Sequence, residues 1–74
     1  MEDKKKICND LLPVIRQTRA GQFVTELYYV KYDSNEERVL ITEKMKNGNE
    51  LVTEVNVTAD SGAAMLMDII KMLM

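Results

Sequence analysis

The chain has 74 residues, 46% of them apolar, and its ten basic and twelve acidic side chains give a net charge of −2. This length indicates one domain, residues 1–74, which can bury only about 60% of its unfolded surface and so needs a staple or a partner for stability. A single cysteine, Cys8, excludes an internal disulfide, and the lack of histidine argues against a zinc or other metal site. The net acidic charge supplies no field that attracts nucleic acid.

The sequence predicts a soluble, cytoplasmic chain without membrane attachment. The residues after the charged N-terminus are too few and too polar for a signal peptide, and no window approaches the ~20 apolar residues of a membrane span. An unpaired cysteine is typical of a reducing compartment.

The first element is predicted as a helix over residues 3–19, because apolar residues recur at helical spacing on one side. Gly21 is a suitable stop after it. Pro13 leaves two alternatives open, since an interior proline loses a hydrogen bond. It kinks this helix on its polar side, or it begins the helix and the preceding residues form a looser arm. Residues 1–6 are a candidate flexible basic arm.

Residues 22–57 change to a two-residue alternation rich in β-forming side chains. Three strands are predicted over residues 22–32, 38–45 and 51–57. A polar turn, residues 33–36, separates the first two, and Asn47-Gly48 is a strong hairpin signal between the second and third. The strands therefore form an antiparallel meander.

A final helix is predicted from Asp60 or Ser61, both suitable N-caps, to about Leu73. The predicted fold is α+β, in the order α-β-β-β-α, with a three-stranded antiparallel meander packed by two helices. One sheet face, containing Leu27, Val39 and Ile41, is expected to form the core under these helices.

More apolar surface is present than this fold can bury. The second sheet face mixes apolar and charged residues, and the last helix is apolar almost all round, which is typical of a helix buried on all sides. Ordinary surface hydrophobicity is the alternative explanation. The excess favours a homodimer or a protein partner, and methionine suits an adaptable contact. The predicted contact residues are Tyr28, Leu40, Met65, Met67, Met72 and Met74.

Catalytic chemistry is not expected. General acid–base catalysis most often uses histidine, which is absent, and the adjacent Glu36 and Glu37 are expected to be solvated turn residues. Cys8 is expected to pack as an inert thiol. The three glycines are scattered, so no phosphate-binding loop is present. We expect a protein that is not an enzyme and uses no cofactor.

Nucleic-acid binding is the alternative function, with a basic N-terminal arm and sheet-face tyrosines as its contacts. The element order resembles that of double-stranded-RNA-binding domains, in topology only, and this resemblance implies basic residues at the start of the last helix. Residues 59–64 hold one acid and no base. The candidate nucleic-acid contacts are Lys4, Lys5, Lys6, Arg16, Arg19 and Tyr32.

The leading hypothesis is therefore a small non-catalytic interaction or regulatory protein that acts by self-association and partner binding. Its size and mild acidity suit an accessory protein of a phage or mobile element, including an inhibitor of a host protein. A small-ligand site at a subunit interface is a third hypothesis, which predicts stabilisation by the ligand.

Overall fold

The computed structural model describes residues 3–74 and has the predicted order α-β-β-β-α. Its strands form one antiparallel sheet in the order β1-β2-β3, which confirms the α+β class and the meander. The elements are α1 (Lys4–Ile15), β1 (Val24–Lys31), β2 (Glu37–Lys44), β3 (Glu50–Asn56) and α2 (Gly62–Leu73). Neither helix is long and apolar enough to cross a membrane.

Helix α1 does not begin at Pro13, and it ends earlier than the sequence predicted. The Asp3 carboxylate caps it by accepting the backbone N–H of Lys6, so Lys4–Lys6 form its first turn. That part of the predicted flexible arm is therefore helical, while residues 1–2 lie outside the described residues. Pro13 lies inside the helix, which ends at Ile15 and not at residue 19.

The chain folds back on itself directly after α1. The Thr18 hydroxyl donates to the Ile15 carbonyl at 2.6 Å and accepts the Gly21 N–H at 3.1 Å. A Cβ at Gly21 would lie 2.4 Å from the same carbonyl oxygen, which no side chain tolerates. Glycine thus permits a close approach that replaces the last predicted turn of the helix.

The two hairpins have the same three-residue geometry. Their loops, residues 33–35 and 46–48, each end in a residue with positive φ, Asn35 at 66° and Gly48 at 88°. A turn closed by one left-handed residue is a common connection of this length. The Asn47-Gly48 signal therefore marked the second hairpin correctly.

The core lies between one sheet face and both helices. Its fully or nearly fully buried members are Cys8, Ile15, Val24, Leu27, Val39, Ile41, Val55, Val57, Met65 and Ile69. Strict two-residue alternation from Leu27 would place Val24 on the opposite face. A register shift between Val24 and Glu26 breaks the strict alternation of β1 and turns the Val24 side chain inward. No element of residues 3–74 covers the other sheet face.

Candidate functional site

Helix α2 carries two apolar stripes instead of one. The inner stripe packs on the sheet and contains Met65 and Ile69, both fully buried, with Leu66 and Leu73 partly buried beside them. Met65 was predicted as a contact residue on the surface. The structure places it in the core, because α2 is rotated so that Met65 rather than Ile70 faces the sheet.

The outer stripe of α2 faces away from the core and consists of Ala63, Met67, Ile70 and Met74. These residues are spaced by four, three and four positions, so they fall within about 60° of one another on the helix. All four are exposed, with Met67 at 53% and Met74 at 89%. The outer stripe is therefore an uncovered apolar face with the spacing of a helix–helix seam.

An apolar groove of about 270 Å³ runs between the outer stripe and the end of α1. Val14, which is 57% exposed, stands on its α1 side, and Ile70 and Met74 stand on its α2 side. Helical spacing from Leu11 would place Val14 on the buried side of α1. The early end of that helix leaves Val14 at its last turn, where α2 does not reach over it.

The remaining predicted contact residues lie elsewhere. Met72 is exposed on the opposite side of α2 from Met67 and Met74, at about 160° from Met74 on the helix. Tyr28 and Leu40 are cross-strand partners on the uncovered sheet face. The structure thus brings Met67 and Met74 together on α2 and Tyr28 and Leu40 together on the sheet, but it does not bring all six predicted residues into one patch.

The predicted nucleic-acid contacts do not form one patch. Lys4–Lys6 lie in the first turn of α1, whereas Arg16 and Arg19 lie beyond its last residue, and a twelve-residue helix is about 18 Å long. The Lys4 ammonium is bound to the Glu37 carboxylate at 2.9 Å, and Lys6 pairs with Asp10 at 2.6 Å. Tyr32 is exposed after the end of β1.

Glu37 is the centre of a buried polar cluster. Its side chain is 11% exposed, and its Oε1 accepts hydrogen bonds from the Tyr29 hydroxyl at 2.5 Å and the Lys4 ammonium at 2.9 Å. Its Oε2 accepts the backbone N–H of Ala59 at 2.9 Å. The carboxylate therefore links α1, β1 and β2 to the loop after β3.

The cluster fixes the protonation states of its members. The hydrogen bonds from Tyr29, Lys4 and Ala59 outweigh burial and lower the pKa of Glu37 to about 2. Burial, followed by the bond to Glu37, raises the pKa of Tyr29 to about 12. A carboxylate held ionised in this way is a weak base, so the arrangement suits a structural link more than proton transfer.

Glu37 was predicted to be a solvated turn residue, and this prediction was wrong. Glu37 belongs to β2 and precedes Val39 and Ile41 at two-residue intervals, so it points to the core. That alternation was the signal that could have identified it. Its neighbour Glu36 does remain exposed and pairs with Arg38 at 3.0 Å.

Ala59 holds its N–H toward Glu37 at a conformational cost. Its φ of 62° lies in the left-handed region, which costs a non-glycine residue about 1–2 kcal/mol.

We expect Ala59→Gly to stabilise the protein by about 0.5–1 kcal/mol, after the extra freedom of the unfolded glycine is subtracted. Urea unfolding measures the change. Ala63→Gly, on helix α2, is the control and should destabilise the protein. If both substitutions change the free energy of unfolding in the same direction, the strain at Ala59 is contradicted.

Asp60, just before α2, and Asp68, in the middle of α2, form a pair of carboxyl groups. The hydrogen bond and charge of Asp68, together with burial, raise the pKa of Asp60. Within the described residues Asp60 Oδ2 is buried and accepts no hydrogen bond, which suits a protonated carboxyl. Asp60 therefore stabilises the fold less once it ionises.

Cys8 is buried in the core, and burial raises the pKa of its thiol to about 11. At neutral pH the group is a protonated thiol, which is neither a nucleophile nor a metal ligand. Residues 3–74 contain no group of three or more cysteine, aspartate and glutamate side chains placed to hold a metal ion.

Comparison of the chain with protein-family models, curated proteins and solved structures gives no match.

Proposed function

We propose that this protein acts by self-association, with two copies packing the outer stripe of α2 against each other. The observation that carries the proposal is the stripe itself. Met67, Ile70 and Met74 are exposed, lie on one side of α2 and continue into the groove beside Val14. A small domain that leaves such a face open gains stability by covering it.

A second copy is the occupant that fits best. A two-fold axis passing between Met67 and Ile70 places each of these residues opposite the other in an antiparallel helix pair. The spacing of four, three and four matches the seam of packed helices. The stripe carries no charge, so identical copies meet without repulsion there, and Lys71 at its border remains free to reach solvent.

The expected affinity is weak. A fully buried methionine or isoleucine contributes about 1.5–3 kcal/mol, and the exposed fractions of the outer stripe mean that roughly half of this remains to be gained for each side chain. Loss of rotational and translational freedom opposes association by several kcal/mol. With three side chains from each copy, the gross gain is about 4–9 kcal/mol and the surplus is at most about 5 kcal/mol, so we expect a dissociation constant of about 0.1–1 mM.

Charged substitutions on the two sides of α2 test the proposal. Met67→Glu together with Met74→Glu is expected to weaken dimerisation at least about tenfold, because carboxylates would be desolvated at the seam. Sedimentation equilibrium measures the dissociation constant. Both residues are exposed, so the monomer should still fold.

Met72→Glu is the matched control, since it adds the same charge to an exposed methionine on the other side of α2. It should leave the dissociation constant within about twofold of the original. Equal weakening by Met72→Glu, or no weakening by the pair of seam substitutions, would contradict the assignment of the seam.

A further inference from the structure

Strand β1 is an edge of the sheet, since the strand order is β1-β2-β3. The Tyr32 N–H donates to the Glu36 carbonyl at 2.8 Å, which fixes the phase of hydrogen bonding between β1 and β2. In an antiparallel pair, alternate residues bond to the partner strand. The backbone N–H and C=O groups of Leu27, Tyr29 and Lys31 therefore point away from β2, toward the free edge.

A cavity of about 580 Å³ lies against this edge. It is bounded on one side by the first turn of α1 and on the other by residues 28–31 of β1. Successive side chains of a strand point to opposite faces, so a cavity that touches four consecutive residues reaches the strand at its edge. The cavity is therefore a groove beside unpaired backbone groups, wide enough for an extended segment.

Positive charge predominates in the groove. Lys5 and Lys31 line it, and neither takes part in an ion pair within residues 3–74. The charge of Lys4 is balanced by Glu37. Asp3 is the remaining acidic side chain in the lining, and it is already engaged as the cap of α1.

We propose that the groove beside β1 binds an extended acidic peptide segment of a partner protein, which adds to the sheet as a fourth strand. Main-chain hydrogen bonds to Leu27, Tyr29 and Lys31 would supply affinity, and Lys5 and Lys31 would select acidic side chains. The opposite edge, β3, contains no lysine or arginine and carries Glu50, so it offers an acidic peptide no attraction.

This site is separate from the outer stripe. The groove lies at the first turn of α1, whereas the apolar groove of the dimer contact lies at its last turn. Peptide binding therefore goes beyond self-association, and a dimer could hold one peptide on each copy. Self-association and peptide binding are tested separately, and a negative result for one does not contradict the other.

The test uses synthetic peptides and amide exchange of the full chain. The probe is an acidic peptide of four Thr-Glu repeats; the comparisons are four Thr-Lys repeats and an acidic peptide N-methylated at alternate residues. The acidic peptide should bind and protect the Leu27, Tyr29 and Lys31 amides, which exchange fast in the free protein. The N-methylated and basic peptides should not. Equal binding of the N-methylated peptide, or no protection of these amides, would overturn strand addition.

Charge reversal tests selection. Lys5→Glu with Lys31→Glu is expected to weaken acidic-peptide binding about tenfold, while Lys46→Glu, in the β2–β3 loop, should leave it unchanged. If Lys46→Glu weakened peptide binding equally, the change in the net charge of the protein would explain the loss, and the proposed site would be wrong. A single-stranded oligonucleotide of equal charge is titrated in parallel. If it binds more tightly than the peptide and loses binding in the Lys5 and Lys31 variant, the groove is a nucleic-acid site and the peptide proposal fails.

Discussion

Replacing Glu37 with glutamine is expected to destabilise the fold by about 3 kcal/mol, as for other buried ion pairs that lose one partner. The substitution keeps the shape of the side chain but removes the charge that the Lys4 ammonium faces at 2.9 Å. It also places an amide N–H₂ among three donors, from Lys4, Tyr29 and Ala59. Urea unfolding at neutral pH measures the change.

Glu36→Gln is the matched control at the neighbouring position. The Glu36 side chain is 53% exposed and pairs with Arg38 at the surface, so its loss should cost less than about 1 kcal/mol. Similar effects of the two substitutions would show that Glu37 does not link the elements as described.

The pH dependence of stability gives a second view of the same cluster. The pKa of Glu37 is lowered in the folded protein from its ordinary 4.5 to about 2. Its contribution is therefore complete above about pH 5 and is lost as the pH falls toward 2, by up to about 3 kcal/mol. Asp60, whose pKa is raised, acts in the opposite direction. The stability of Glu37→Gln should thus stay flat or rise on acidification in this range, and a loss equal to that of the original protein would contradict the assignment.

Truncating Met65 to alanine is expected to cost about 2–5 kcal/mol. Met65 is fully buried between α2 and the sheet, so the substitution removes apolar contacts and leaves a cavity in a core with few members. In a domain of this size, such a loss is a large part of the total stability. Thermal and urea unfolding at low protein concentration measure it.

Met67→Ala is the control, because it makes the same change two residues along the same helix on the exposed outer stripe. In the monomer it should alter stability by less than about 0.5 kcal/mol. A larger loss of stability for Met67→Ala than for Met65→Ala would indicate that Met67, not Met65, faces the core, and would contradict the orientation of α2.

The sheet could be predicted from sequence because its signals are local. Two-residue alternation located all three strands, and Asn47-Gly48 located the second hairpin. The errors have non-local causes. Helix α1 ends at Ile15 because Gly21 folds back against it, and Val24 faces inward because of an irregularity in pairing with β2. Neither contact follows from residue periodicity.

The candidate sites were predicted only in part. Apolar excess on α2 was visible in the sequence, but its division into stripes depends on how the helix sits on the sheet. Met65, predicted as a surface contact, is therefore buried, whereas Val14 and Ile70 are exposed. The Glu37 cluster joins residues from four segments, and the groove beside β1 depends on which edge α1 approaches.

Self-association through α2 would couple stability to function. The outer stripe lies outside the buried core of one copy, so core packing does not explain its apolar character. Covering it in a dimer would add the stabilisation that a chain of 74 residues otherwise lacks. The protein would then become more stable as its concentration rises.

The most direct test is sedimentation equilibrium of the unaltered chain over a wide concentration range. One copy has a mass of 8.5 kDa. The predicted result is a weight-average mass that rises with concentration from this value toward twice it, with a midpoint at about 0.1–1 mM. A mass that stays at 8.5 kDa up to about 1 mM would contradict self-association through the outer stripe.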